Sequence, residues 1–258
     1  MFLPILTLWR SSEGSNGGSI SVNKNKVSCT INHCKFDTCR SEYGGAVYVA
    51  YSGDADTYVC TITNSLFTNC NAEQQGGALY ASNTQSKRHS ITITGCTFTN
   101  NEAKNGGAVY IDSRDRLTLT NCVFEDNTAS VNGSSLWCRL GWNDRYNKNE
   151  AHVQNNKFTF TPTKNSQKYG STNVYIKSYT LNNDITPNAN LIFGGNTFVA
   201  KESTITSYKH LNIEQYKSQF ESIDFSGCSC VAQGSETVIL PTVYKPEFYF
   251  SFNCQDQG

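Results

Sequence analysis

From Cys29 onward the chain is written in short alternating runs. CTIN at Cys29, CTIT at Cys60, ITIT at Ile91 and LTLT at Leu117 carry an apolar residue at every second position, with Thr30, Thr61, Thr92 and Thr118 between them. Alternation with a period of two describes a strand that buries one face, so the threonines belong on the other. A second alternation opens on glycine: GGAVYV at Gly44, GGALYA at Gly76 and GGAVYI at Gly106, with GGSI at Gly17 as a shorter copy. GSSLWC at Gly133, GSTNVYI at Gly170 and GSETVIL at Gly234 echo it imperfectly. Val47, Leu79, Val109 and Leu136 then share one side of a strand, and Tyr48, Tyr80, Tyr110 and Trp137 the other.

Between the two runs stands a phenylalanine, eight or nine residues before the glycine pair. Aligned on it, the unit recurs at Phe36, Phe67, Phe98, Phe124, Phe158, Phe198 and Phe225, in steps of 31, 31, 26, 34, 40 and 27 residues. Five residues before the anchor stand Ile31, Ile62, Ile93, Leu119, Val153 and Phe193, and seven before it Cys29, Cys60, Ile91, Leu117, Ala151 and Leu191. Two before it come Cys34, Ser65, Cys96 and Cys122, in most rungs preceded by Asn or Gly (Asn64, Gly95, Asn121, Asn155, Gly195), which tolerate the left-handed backbone of a turn. Three past the anchor, Cys39, Cys70, Asn101, Asn127 and Cys228 imply another corner. A helical turn or two fits only HLNIEQYKSQF after Lys209.

Strands at this spacing suit a sandwich, a propeller or a solenoid. The same residue type returning at the same strand position over four or more units is what stacked parallel coils need, since each side chain rests on its copy in the next coil. The expected fold is all-β: a right-handed, single-stranded parallel β-helix whose seven rungs span about 34 Å at about 4.8 Å per coil. Residues 17–137 form the regular repeats, 1–16 an N-terminal segment or cap, and 138–258 degenerate coils with longer loops.

Composition narrows the partners. Lys plus Arg and Asp plus Glu are both 21, and charged residues make 16% of the chain, so the basic field that nucleic acid requires is missing. No run of eighteen apolar residues spans a membrane as a helix, and MFLPILTLW lacks the basic leader of a signal peptide; it reads as a strand, a cap or the cut end of a longer protein. The eleven cysteines show no zinc-ligand spacing.

FTNN at Phe98 and FEDN at Phe124, paired with GGA and an aliphatic residue, resemble the repeats of chlamydial polymorphic outer membrane proteins. FDTC at Phe36 and FTNC at Phe67, followed by GGA-x-Tyr, are more similar to related cysteine-rich proteins of parabasalid protists. The resemblance covers residues 17 to about 137 and fades where FTFT at Phe158 and FVAK at Phe198 lose the Asn or Cys. It implies a β-helix at the cell surface or secreted, with adhesion as its role. The chain shows neither the autotransporter barrel nor the transmembrane segment by which such proteins are anchored, and with Cys254 four residues from its end and no obvious capping element at either terminus it reads as a fragment or a truncated paralogue.

The candidate chemistry is sparse. Asp54, Asp56, Asp112, Asp115, Glu125, Asp126 and Asp144 do not repeat in register, and solvated loop charge is their plain reading; Arg114 and Arg116 are read as local ion partners of Asp112 and Asp115. His33, His89, His152 and His210 share no column, so no metal, cofactor or catalytic group is expected. Cys34, Cys96 and Cys122 read as buried thiols. Cys29 with Cys60, and Cys39 with Cys70, stand at matching positions in consecutive rungs, where both reduced thiols and rung-to-rung disulfides are open. Tyr48, Tyr80, Tyr110 and Trp137 form an outward aromatic stripe that either stabilises the sheet or docks a glycan or a partner's apolar patch. Asn132-Gly133-Ser134 is a glycosylation sequon whose use is not expected.

The function expected is a non-enzymatic, monomeric, surface or secreted protein that presents loops to host cells, matrix or glycans. A polysaccharide lyase or hydrolase on a pectin-lyase-like scaffold, marked by acidic side chains across adjacent coils, is the alternative. A structural spacer of a larger surface protein is the third.

Overall fold

A computed structural model describes residues 6–9, 16–23, 28–51, 59–83, 90–113, 116–141, 149–160, 172–179, 189–200, 209–214, 220–232, 238–239, 243–244 and 249–252. The chain is a right-handed parallel β-helix, with strands in place of any helix among these residues. One coil runs through four faces. A threonine face (such as Ser90–Thr94) leads to a phenylalanine face (Thr97–Thr99), then a short face (Glu102–Asn105), then a tyrosine face (Val109–Ser113). The next coil lies in register on each: Ile93 on Ile62 and Leu119, Phe98 on Phe67 and Phe124, Tyr80 on Tyr48 and Tyr110. Lys209–Glu214, at the start of the one stretch whose sequence fits a helical turn, is a strand of the tyrosine face.

Register converts the repeat into columns of like on like. Phe36, Phe67, Phe98, Phe124, Phe158 and Phe198 are fully buried, and their rings stack with centroids 4.7 to 5.3 Å apart. The column extends beyond the expected rungs at one end and is reassigned at the other. Leu8, in Leu6–Trp9, pairs with Phe36, so an earlier coil already contributes to the phenylalanine face. At the far end Phe198 pairs with Cys230, whereas Phe225 follows Asp224, the partner of Ile192, and falls in the column of Phe193. The last anchor is therefore Cys230, not Phe225, and Cys228 belongs to the corner before the phenylalanine strand rather than the one after it. Phenylalanine identity misleads there because two buried columns, five residues apart, both accept it.

At the corners the chain turns through left-handed residues. Asn64, Gly95, Asn121, Asn155, Gly195 and Gly227 have φ of 50 to 72° before the phenylalanine face, and Thr38, Asn69, Asn100 and Asp126 have φ of 53 to 55° after it. Such a turn points a backbone N–H along the solenoid axis, where a side chain of the next coil accepts it. Before the phenylalanine face, Cys34 N donates to Ser65 Oγ at 3.1 Å, Ser65 N to the Cys96 sulfur, Cys96 N to the Cys122 sulfur, Cys122 N to Asn156 Oδ1 at 2.9 Å and Asn156 N to Asn196 Oδ1 at 2.9 Å. Asn196 N ends the series on Cys228. After the face, Cys39 N donates to the Cys70 sulfur, Cys70 N to Asn101 Oδ1 at 2.9 Å and Asn101 N to Asn127 Oδ1 at 3.0 Å. The asparagines also donate backward: Asn101 Nδ2 to Phe67 O at 3.1 Å, Asn127 Nδ2 to Phe98 O at 2.9 Å. Cys, Ser and Asn interchange because each supplies one buried acceptor at similar reach.

The glycine pairs answer a steric demand. The first glycine of each is left-handed, as at Gly76 with φ +69°. The second is where backbones approach: a Cβ on Gly77 would stand 2.0 Å from Gly107 O and 2.6 Å from Glu102 O. This requirement ends with the short face, whose last strand is Thr128–Asn132. There the second position becomes Ser134, still 2% exposed.

Beyond Ser229–Ala232 the chain reverses. Val238–Ile239, Val243–Tyr244 and Tyr249–Phe252 run antiparallel to the last strands of the phenylalanine, threonine and tyrosine faces in turn. The segment echoing the glycine repeat at Gly234 thus leads into a retrograde strand rather than another parallel turn. This segment covers the three sheet edges that a parallel ladder leaves open.

Replacing Asn101 by Ala removes the acceptor of Cys70 N and both donated bonds, and is expected to cost about 2–4 kcal/mol in urea unfolding. Asn101→Cys keeps an acceptor and should cost less than half as much; equal losses would contradict acceptor exchange. Gly77→Ala should lose about 3 kcal/mol or more through its backbone clash. Gly95→Asn, in a column that already holds asparagine and faces only the Asn64 side chain, should stay within about 1 kcal/mol of wild type.

Candidate functional site

The tyrosine face carries the aromatic stripe. Val47, Leu79, Val109 and Leu136 point inward and are fully buried, which turns Tyr48, Tyr80, Tyr110 and Trp137 outward. Centroids are 5.0 Å apart for Tyr48 and Tyr80, 5.3 Å for Tyr80 and Tyr110 and 4.2 Å for Tyr110 and Trp137, with ring planes within 8° of parallel. The rings therefore cover one another's faces: Tyr48, Tyr80 and Trp137 offer solvent only edges and tips, and Tyr110, expected in an outward stripe, is 5% exposed and buried within the stack. Tyr175 continues the stack 6.0 Å from Trp137. The sequence had not singled it out, because aligning GSTNVYI on Gly170 misses the register, which pairs Trp137 with Tyr175 and starts the strand at Thr172. The triplet VYI, repeated from Val109-Tyr110-Ile111, was the available signal.

Two residues on, a polar column runs parallel to the stripe: Ala50, Ser82, Asp112, Arg139, Lys177 and Glu214. Arg139 Nε donates to Asp112 Oδ1 at 2.6 Å with a second bond to Oδ2, and Lys177 Nζ lies 3.0 Å from Glu214 Oε1. Asp112 thus pairs across one coil with Arg139, not with Arg116, which begins a strand of the threonine face; Arg114 and Asp115 lie outside the described residues. The strand period explains the difference, since neighbours on one face belong to adjacent coils. The Tyr175 hydroxyl and Lys177 hold the Glu214 carboxyl below its usual range, while burial pushes the Tyr80 and Tyr110 phenols up.

Every passage from the tyrosine to the threonine face occurs at the same corner. Tyr51 leads to Val59, Asn83 to Ser90, Ser113 to Arg116, Gly141 to Asn149, Tyr179 to Ala189 and Glu214 to Phe220. The intervening segments range from two residues (114–115) to nine (180–188), yet the strands on either side keep their register. The spacing from the threonine to the phenylalanine face is constant, five residues from Ile93 to Phe98 and from Phe193 to Phe198, whereas the passage from the phenylalanine to the tyrosine face also lengthens, from nine residues between Thr99 and Val109 to eleven between Phe160 and Thr172. Asp54, Asp56, His89 and Asp144 belong to these segments and lie outside the described residues.

The cysteines are the second concentration of reactive groups. Cys29, Cys34, Cys39, Cys60, Cys70, Cys96, Cys122, Cys138 and Cys228 are reduced, and Cys230 is disulfide-bonded. The two pairs that register brings together, Cys29 with Cys60 and Cys39 with Cys70, stand as thiols in hydrogen-bonded contact, as do Cys96 and Cys122. Side chains of in-register parallel strands project side by side, so Cβ atoms keep the strand spacing of about 4.8 Å, wider than the roughly 3.8 Å of a bridge. Within each pair one sulfur is favoured as thiolate: Cys60 brings Cys29 down to about 7, and Cys70 does the same for Cys39. Burial pushes the isolated Cys138 up, and Cys228 to about 11.

Other candidates disperse. His33 sits in a left-handed corner, and His152 Nδ1 lies 3.1 Å from Gln154 Oε1 on the threonine face. Among the described residues no group of three His, Cys, Asp or Glu side chains gathers to hold a metal ion. Asn132 of the sequon is half buried in a paired strand, and its Ser134 is inside the core. No helix among the described residues is long and apolar enough to cross a membrane, which says nothing of a strand-built barrel.

Comparison with known proteins gives one family match. Residues 95–112 match the Chlamydia polymorphic membrane protein repeat. This segment runs from the left-handed Gly95 through Phe98, Asn101 and the glycine pair to Asp112, one passage from the phenylalanine to the tyrosine face. No curated protein and no solved structure matches the chain. The repeat is that of surface-displayed β-helix proteins, and this chain carries it.

Proposed function

We propose that the protein is a non-enzymatic, adhesin-like surface β-helix that presents the variable segments of one corner to host cells, matrix or glycans, as a monomer of the cysteine-rich parabasalid type. One observation carries this reading: segment length varies from two to nine residues at the corner from the tyrosine to the threonine face while every adjoining strand keeps its register. A scaffold under that constraint changes its contact surface without changing its core. The match to a polymorphic membrane protein repeat supports a surface location.

The stacked geometry bears on the stripe as well. A sugar that stacks on tyrosine needs the ring face, and the faces of Tyr80 and Tyr110 are covered by their neighbours. The stripe is better read as a strut for the tyrosine face. For the enzyme alternative, an acid column on adjacent coils would be the supporting sign, and the column through Asp112 instead alternates Ser82, Asp112 and Arg139.

Shortening 142–148 and 180–188 to the two-residue length of 114–115 is expected to abolish saturable binding to host cells or matrix while leaving the melting temperature nearly unchanged. Unaltered binding would favour the stripe as the contact surface; no saturable binding by the intact chain would favour a spacer, and oligosaccharide release from pectin or glycosaminoglycan an enzyme. In the same assay Tyr80→Ala should keep its affinity but lose about 2–3 kcal/mol of stability, from two stacked pairs and the ring's burial.

A further inference from the structure

Among the described residues three thiol pairs run through the solenoid, and one of them has a member within reach of solvent. Cys60, Cys39, Cys70, Cys96 and Cys122 are each at most 1% exposed, whereas Cys29 is half buried. Cys29 belongs to Cys29–Asn32, the outermost strand of the threonine face among the described residues, and its register partner on Val59–Thr63 is Cys60. The Cys60 thiol donates to the Cys29 sulfur and holds it near 7, so at neutral pH the outer sulfur is substantially thiolate. That contact and burial keep the inner sulfur protonated. An accessible nucleophilic sulfur backed by a protonated thiol one strand away is the arrangement of a peroxide-reacting cysteine and its resolving partner.

We propose that Cys29 and Cys60 form a peroxide-reactive dithiol that closes into a reversible bridge between the first two strands of the threonine face. The Cys29 thiolate attacks one oxygen of hydrogen peroxide; the O–O bond breaks, and the departing hydroxide takes a proton and leaves as water. Cys29 is now a sulfenic acid. The Cys60 sulfur then attacks the Cys29 sulfur, the S–O bond breaks, and hydroxide leaves with the Cys60 proton as a second water. Two thiols and one peroxide have become one disulfide and two waters, and a dithiol or glutathione-type reductant reverses the change. Closure draws the two Cβ atoms from about 4.8 Å to about 3.8 Å. Among the described residues this outermost strand is paired on one side only, and it can supply that shift.

Cys34 provides an internal control. It is half buried like Cys29, but its neighbour in the next coil is Ser65, so the adjacent position holds a hydroxyl in place of a resolving thiol.

The intact chain is titrated with hydrogen peroxide at neutral pH, alkylated, digested and read by mass spectrometry. The expected first product is a Cys29–Cys60 linked peptide, formed before any change at Cys39, Cys70, Cys96 or Cys122 and lost again on treatment with dithiothreitol. Cys60→Ala, checked for folding by circular dichroism, should slow oxidation of Cys29 roughly tenfold as its thiolate fraction falls, and should leave a sulfenic acid that dimedone traps. Cys29→Ser, at the half-exposed edge, should leave Cys60 reduced throughout. Oxidation of Cys34 ahead of Cys29, an unchanged Cys29 rate in Cys60→Ala, or a Cys29 that ends as sulfinic acid without the linked peptide would each overturn the proposal.

Discussion

The solenoid depends on satisfying the backbone N–H groups at its corners. Along the faces, parallel strands pair their own amides, but a left-handed corner residue leaves the next N–H aimed along the axis into a dry interior. An amide left there without a partner costs about 1–3 kcal/mol, repeated at every coil. Each coil therefore borrows an acceptor from the one after it: Ser65 Oγ for Cys34, Asn156 Oδ1 for Cys122, Asn127 Oδ1 for Asn101. Because the acceptor comes from the next coil, the bond that closes a corner also fixes the distance and register between coils. The phenylalanine stack follows from that register rather than causing it.

Closeness at a second corner adds a steric condition. Where the short face meets the tyrosine face, the second glycine of each pair leaves no room for a Cβ against the carbonyl of the next coil. Once Ser134 takes its place, the short face has no further strand among the described residues after Thr128–Asn132. Past Trp137, where the motif fades, the phenylalanine, threonine and tyrosine faces still continue in register through Phe198, Leu191 and Val174.

Much of this was legible in the chain itself. The columns of Ile31, Phe36, Val47 and Tyr48 with their later copies give the strands, the inward faces and the parallel stacking, since only in-register coils need the same residue at the same place. The corner chemistry was half legible: the alternation of Asn and Cys is plain in sequence, but that sulfur and amide oxygen serve the same amide is visible only with the chain wound. Phe225 was misassigned because aromatic identity does not separate two adjacent buried columns. Tyr175 was missed because one inserted residue shifts the glycine motif away from the strand it introduces. The pairing of Asp112 with Arg139 has no local signature at all, as its partners lie 27 residues apart.

These constraints divide the molecule by what each part is free to change. A corner acceptor can pass between Cys, Ser and Asn, and an anchor from Phe198 to Cys230, because each site demands one property: an acceptor at a given reach, or apolar bulk. The stripe of rings is less free, since each ring's packing depends on its two neighbours, and a change at Tyr80 is felt at Tyr48 and Tyr110. The corner from the tyrosine to the threonine face imposes no length in any coil, because the strands it joins are already positioned by the coils above and below. Variation in length without loss of register collects where register is held from elsewhere, and the stacked aromatic face beside that corner keeps successive segments at the fixed spacing of the coils.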